Sequence, residues 1–138
     1  MGLNKELIQR RFQDIRQSLE RLERFRAISL ESFLNDEDSL DVACYRLLVA
    51  IEAAIQICFH ISARQLHRVP EEYAECFATL AEKGIIDLEL GAKLQRMARF
   101  RNMLVHVYWE VDHCRLHSIL QENLGDLRSF VRHIGALL

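Results

Sequence analysis

Apolar side chains recur at intervals of three and four residues along most of this chain, which is the pattern of helices with one buried face. The repeat falls into five stretches, and we expect helices at about residues 5–33, 38–64, 70–83, 88–108 and 112–138. The centre of the second stretch, residues 47–59, is apolar nearly all round and should form the middle of the core. The pattern therefore predicts an all-α fold.

Residues that favour helix ends separate these stretches. Residues 35–39 supply turn and N-cap side chains, Pro70 suits a first helical turn, and Asp87 can cap the fourth helix. Lys83 followed by Gly84 is typical of a helix C-terminus. Because long helices with short connections pack most simply side by side, we expect residues 1–138 to form one antiparallel bundle of about five helices.

Composition agrees with that fold and limits the possible partners. Half of the residues are apolar, with only five Gly and one Pro, so the chain can fill one core. The formal net charge of −2 gives no overall signature of nucleic-acid binding, so any anion site must be local. A long, thin bundle leaves apolar surface uncovered, and we therefore expect self-association.

Nothing in the sequence indicates export, lipidation or membrane insertion. No cationic and apolar leader is apparent, and Glu6 stands where a myristoylation signal needs Ser or Thr. The most apolar run, residues 47–61, is interrupted by polar residues and shorter than the ~20 residues that span a bilayer. We therefore expect a cytoplasmic protein with no membrane contact. Its four cysteines are far apart and should be free thiols, namely Cys44, Cys58, Cys76 and Cys114.

Two charged residues interrupt apolar surfaces on different predicted helices. Arg101 falls on the buried stripe of the fourth helix, and Glu52 lies within the apolar centre of the second. A buried charge needs a partner, so an ion pair between Glu52 and Arg101 satisfies both. The pair could simply fix the register of two helices. Alternatively, Glu52 could aim Arg101 at a phosphate, which the planar guanidinium binds well.

His106 and Tyr108 follow Arg101 closely but lie at different angles around an ideal helix. Tyr108 shares the face of Arg101 to within about 20°, whereas His106 is turned by about 140°. Arg101 and His106 should therefore not converge within one regular helix. Either the helix ends or distorts at residues 105–107, or a second copy of the chain completes the site across a two-fold axis.

A second histidine pair offers a different chemistry. His113 and His117 are four residues apart, a spacing at which one helix face can hold zinc. No further ligand cluster is apparent in the sequence, so we favour two solvated histidines at the start of the last helix and expect no metal.

The segment around Arg101 resembles a known family signature. Arg101, His106 and Tyr108, with Asn102 after the arginine, are similar to the motif of HepT-like toxins, which belong to the HEPN group of helical ribonucleases. Likeness extends to residues 19–33, 50–53, 68–71 and 105–112, so it covers nearly the whole chain.

The resemblance implies a metal-independent endoribonuclease toxin, without a cofactor, that acts as a two-fold homodimer. Arg101 would hold the scissile phosphate, and His106 would transfer protons at neutral pH. Asn102 would assist, either by donating to phosphate or by holding the motif's backbone. The resemblance also implies a nucleotidyltransferase antitoxin of the MNT type that attaches AMP to Tyr108, where added negative charge would oppose RNA binding.

An alternative from another functional class stays open at this stage. A helical dimer with Arg101, His106 and Tyr108 on its surface could be a non-catalytic module that docks a nucleotidyltransferase or a nucleotide. Local charge distinguishes the two hypotheses, since the toxin hypothesis predicts a basic rim around the dimer cleft, formed by Arg99, Arg101 and arginines of the first helix.

Overall fold

A computed structural model describes residues 2–138 and confirms the all-α class. The described chain forms seven α-helices joined by short connections. Their bounds are α1 Lys5–Leu22, α2 Leu30–Leu34, α3 Glu37–Gln65, α4 Tyr73–Glu82, α5 Leu88–His106, α6 His113–Glu122 and α7 Leu124–Gly135. Short 3₁₀ turns occupy Glu23–Ala27 and Tyr108–Glu110.

The longest helix, α3, forms the centre of the antiparallel bundle. α1 packs along one side of α3, whereas α4 and α5 pack closely on each other and against its other sides. The apolar centre of α3 is buried, as its composition predicts, with Leu47, Ile51 and Ile57 among the least exposed side chains. The core is therefore continuous through all the major helices.

The first predicted helix is interrupted, contrary to the expectation of one helix over residues 5–33. Ile28 takes an extended conformation, and the Ser29 side chain then caps α2 by accepting the backbone N–H of Ser32 at 3.2 Å. A straight helix would place Phe25 and Phe33 about 80° apart. The break lets both rings enter the core, where their centroids lie 6.0 Å apart.

The last predicted helix is also two helices. The chain breaks at Asn123, whose side-chain amide donates to Asp126 at 2.9 Å. Leu120 of α6 and Leu127 of α7 are both fully buried on either side of the break. These two interruptions account for seven helices where about five were expected.

Most of the predicted helix ends are confirmed. Asp36 caps α3, and Asp87 caps α5 by accepting the N–H of Leu90 at 2.7 Å. Gly84 follows α4 with a φ of +75°, a conformation that glycine adopts without a steric penalty. The prediction for Pro70, which placed it in the first turn of a helix, is wrong. α4 begins only at Tyr73, and Pro70 is buried in the connection before it.

Two of the cysteines are paired, which corrects the expectation of four free thiols. Cys58 of α3 and Cys76 of α4 form a disulfide, and their Cα atoms lie 6.2 Å apart. The pairing follows from the packing of two helices, which spacing along the chain does not show. Cys44 is a buried free thiol, and Cys114 is an exposed one.

By length and composition alone, α3 could cross a membrane. The expectation considered only the apolar run of residues 47–61, whereas α3 continues beyond both ends of that run, from Glu37 to Gln65. In the bundle, however, 56% of its most apolar window is buried against other helices. A long, apolar and largely buried helix is also what the centre of a packed core requires.

Candidate active site

Arg101 is held on three sides by groups from three helices. Its Nε–H donates to the carboxylate of Glu52 on α3, so the predicted ion pair is present. Its Nη1 donates to the side-chain oxygen of Asn102 at 3.1 Å. Its guanidinium carbon lies 4.5 Å from the ring centroid of Tyr73, the first residue of α4. The side chain of Arg101 is only 11% exposed.

These contacts leave part of the guanidinium available to a ligand. Among residues 2–138, Nη2 of Arg101 has no hydrogen-bond partner, although a guanidinium carries five N–H donors. Glu52 and Asn102 fix the plane of the group, and the Tyr73 ring supports one face. The arrangement is suited to present fixed donors to an anion such as phosphate.

Arg101, Asn102 and His106 line one open cleft of about 420 Å³. Asn102 and His106 are four residues apart on α5, with Arg99 three residues before Asn102, so these side chains share one helix face. Arg101 lies on a different face of α5, about 100° from Asn102, and its long side chain still lines the cleft. The opposite wall comes from the start of α4 and the residues before it, namely Glu71, Glu72, Tyr73 and Ala74.

This geometry changes which motif residues lie together. We expected Arg101 to share a face with Tyr108 and His106 to point elsewhere. Instead, Arg101 and His106 line the same cleft of a single chain, and Tyr108 lines a separate depression. α5 ends at His106, and Val107 turns the chain with φ −134° and ψ 51°, so the helical angle does not extend to Tyr108. Of the two alternatives for these residues, a helix end or a second copy of the chain, the structure shows the helix end at residues 105–107.

Tyr108 is fixed by one hydrogen bond to a distant part of the chain. Its hydroxyl donates to a carboxylate oxygen of Asp41, in the second turn of α3, at 2.9 Å. This bond, with some burial, raises the pKa of the Tyr108 phenol to about 12. Beside it, burial raises the pKa of the Cys44 thiol to about 11. Tyr108 is 47% exposed, so its hydroxyl is near the surface.

The charge around the cleft is mixed. Arg99 and Arg101 line it together with Glu71 and Glu72, whereas arginines of α1 line other depressions of the chain. The arginines of α1 therefore do not line this cleft within one described chain, and the basic rim expected around the dimer cleft stays a prediction.

One histidine of the pair on α6, His117, has structural contacts. Nε2 of His117 lies 2.9 Å from the carbonyl oxygen of Ile28, and its ring lies 5.4 Å from that of Phe33. His117 is thus partly buried, where a solvated side chain was expected. The part of the chain that the structure describes holds no group of three or more His, Cys, Asp or Glu side chains placed to bind a metal.

Sequence reasoning missed Tyr73 and Asp41. Tyr73 follows Glu71 and Glu72 in a segment that looked only like a helix start, and Asp41 looked like one of several acids near the start of α3. Arg99, Asn102 and His106 repeat at spacings of three and four on α5, a pattern that indicates a polar helix face at the cleft. From the sequence we considered only the apolar stripe of the same helix.

With this geometry, comparison with known proteins identifies the family. A model described as Ribonuclease HepT-like matches residues 15–134, which is most of the chain. The chain belongs to the HepT-like ribonuclease family. The resemblance read from the motif is thereby confirmed.

Named relatives of this HepT-like chain are nucleases. A protein of Shewanella oneidensis named mRNA nuclease HepT is 30% identical over 104 residues, covering 75% of this chain and 78% of the relative. A protein of Aphanizomenon flos-aquae named tRNA nuclease HepT is 26% identical over 132 residues, covering 96% and 90%.

Solved structures share the fold at nearly full length. A tri-AMPylated Shewanella oneidensis HEPN toxin in complex with an MNT antitoxin superposes with a TM-score of 0.87 and 26% identity, covering 99% of each chain. A toxin-antitoxin complex with AMP-PNP gives a TM-score of 0.84 at 25% identity, covering 97% of this chain and 99% of the other. The HEPN fold expected for this chain is therefore confirmed.

Proposed function

We propose that this HepT-like chain is a cytoplasmic endoribonuclease toxin of a type VII-like toxin-antitoxin pair, and that it cleaves RNA without a metal at the cleft of Arg101 and His106. The observation that carries the proposal is the convergence of Arg101, Asn102 and His106 on one open cleft in a ribonuclease-family fold. Arg, Asn and His at helical spacing can also serve only to stabilise a helix, so membership of a ribonuclease family is what makes this cleft a candidate catalytic site.

The chemistry follows from the groups present. A base removes the proton of the ribose 2′-hydroxyl, whose oxygen attacks the adjacent phosphorus while the bond to the 5′-oxygen breaks. His106 can serve as this base, since imidazole exchanges protons near neutral pH. The free N–H groups of Arg101 stabilise the charge that builds on the phosphate oxygens. Asn102 keeps Arg101 in place.

The departing 5′-oxygen needs an acid, and each chain supplies one motif histidine. We propose that the active unit is a two-fold homodimer in which His106 of the second copy supplies that proton. Because Arg101 and His106 already line one cleft, the dimer is required for the second proton transfer and not to bring these two residues together.

Control of the activity would lie at Tyr108. We propose that a nucleotidyltransferase antitoxin of the MNT type attaches AMP to the Tyr108 hydroxyl, as the AMPylated toxin in the similar complex suggests. The added phosphodiester would introduce negative charge close to the end of α5, where RNA phosphate must approach. The exposure of Tyr108 is compatible with enzymatic access.

The test compares cleavage of labelled RNA by the wild-type chain, His106→Ala and the matched control His113→Ala. We expect the wild type and His113→Ala to cleave equally, also with EDTA present, and His106→Ala to lose at least a hundredfold in rate. Expression without the partner should arrest growth only when His106 is intact. Intact RNA with all three proteins would favour the binding-module hypothesis, and loss of cleavage in EDTA would exclude the metal-independent mechanism.

A further inference from the structure

The hydrogen bond between Tyr108 and Asp41 joins two parts of the chain that are 67 residues apart. It connects the 3₁₀ turn after α5 to the second turn of α3. Both side chains line a depression of about 180 Å³, separate from the catalytic cleft. The remaining lining residues are Cys44, Tyr45, Leu48 and Leu104.

Asp41 is the only carboxylate among the residues that line this depression. Burial raises the pKa of the neighbouring Cys44 thiol to about 11, well above physiological pH, so this thiol adds no second anionic acceptor. The hydroxyl of Tyr108 thus has one strong acceptor within reach, while nearly half of its side chain stays exposed to an approaching reagent. This is the geometry of a nucleophile with a base beside it.

We propose that Asp41 is the general base for the adenylylation of Tyr108, so that the toxin supplies part of the chemistry of its own modification. The inference rests on the proposed function, in which Tyr108 is the modified residue. It assigns a role to a side chain that lies outside the Arg101 and His106 motif.

The step conserves atoms and electrons. The Tyr108 oxygen forms a bond to the α-phosphorus of a nucleoside triphosphate, which the partner nucleotidyltransferase binds. The bond from that phosphorus to the oxygen bridging to the β-phosphorus breaks, and pyrophosphate leaves. The phenol proton passes to the Asp41 oxygen that already accepts its hydrogen bond. No oxidant or reductant is needed.

A base is required because the phenol stays protonated at neutral pH. The same hydrogen bond raises the pKa of Tyr108 to about 12, so free tyrosinate is scarce. A neutral phenol is a weak nucleophile, and its proton must leave as the new bond forms. Asp41 lies within the 2.6–3.2 Å range for that transfer.

Asp41→Asn distinguishes a base from a structural contact. The asparagine side-chain oxygen can still accept the Tyr108 hydrogen bond, but the amide cannot take up the proton. Asp38→Asn is the matched control, since it makes the same charge change on α3 outside the depression. Asp41→Glu restores a carboxylate and should recover part of the rate.

The measurement is the initial rate at which the full-length chain incorporates AMP from ATP labelled at the α-phosphate, with the cognate nucleotidyltransferase. We expect Asp41→Asn to lose about a hundredfold in this rate. Asp38→Asn should match the wild type, and all unmodified variants should cleave RNA equally.

Three results would overturn the proposal. Incorporation into Asp41→Asn at the wild-type rate would make the hydrogen bond a structural tie. Equal losses in Asp41→Asn and Asp38→Asn would mean that negative charge on α3 only steers the partner. Wild-type incorporation into Tyr108→Phe would place the AMP elsewhere, which refutes the modification site itself along with the role of Asp41.

Discussion

Glu52 and Arg101 lie 49 positions apart in the sequence, and the carboxylate of Glu52 accepts the Nε–H of Arg101 at the edge of the cleft that Arg101 and His106 line. The pair joins α3, the centre of the bundle, to α5, which carries Arg101 and His106. The same ion pair therefore holds two helices together and fixes the orientation of the guanidinium beside the cleft.

Replacing Glu52 should therefore affect activity as well as stability. In Glu52→Ala, Arg101 keeps its charge but loses the acceptor that fixes its plane. We expect RNA cleavage to fall about tenfold and the free energy of unfolding to fall by about 1–2 kcal/mol, because the pair is partly exposed. Turnover and urea denaturation measure the two effects. Lost stability with unchanged turnover would mean that the pair only fixes helix register.

Tyr73 offers a second way to test how Arg101 is held. Tyr73→Phe keeps the ring under the guanidinium and should cleave RNA like the wild type. Tyr73→Leu removes the cation–π contact, worth about 0.5–2 kcal/mol, and also the ring contact with Phe59. We expect turnover by Tyr73→Leu to drop by roughly 2–30-fold, the range that this energy corresponds to. Equal activity of the Phe and Leu variants would exclude a role for the ring.

Gly91 sets the distance between α4 and α5. A Cβ at this position would lie 2.6 Å from the Cβ of Ala81, so Gly91→Ala forces the two helices apart. We expect it to destabilise the fold by about 1–3 kcal/mol, as overpacking does. Gly125→Ala is the control, because its Cβ meets nothing within 4 Å, and it should leave stability unchanged or slightly raised. Thermal unfolding of Gly91→Ala and Gly125→Ala measures the difference. Equal melting temperatures of the two variants would contradict the close approach of α4 and α5 at Gly91.

The hydrogen bond of Tyr108 predicts a stability difference that depends on pH. The pKa of this phenol is about 12 in the folded chain against an ordinary value of 10.0, so the folded state holds the proton more tightly than the unfolded state does. The resulting stabilisation is fully present below pH 10 and is lost as the pH rises toward 12. The difference in unfolding free energy between wild type and Tyr108→Phe should shrink over that interval. A constant difference would contradict the Asp41 contact.

The sequence by itself determined the helical class, most helix caps and the Glu52 to Arg101 pair. These follow from local propensity, from the period of apolar residues and from the cost of burying an unpaired charge, all of which are legible along the chain. The motif of Arg101, Asn102, His106 and Tyr108 also identified the family, because likeness along nearly the whole chain accompanies it.

Only the tertiary structure decided which of these residues share a cleft. α5 ends at His106, so Tyr108 leaves the helical face of Arg101 and turns to Asp41. Arg101 and His106 lie on different faces of α5, and the long side chain of Arg101 nevertheless reaches the cleft that His106 lines. Likewise, the breaks near Ile28 and Asn123, the pairing of Cys58 with Cys76, and the place of Tyr73 beneath Arg101 depend on contacts between distant segments. Sequence periodicity describes one helix at a time, whereas these features result from how several helices fill one core.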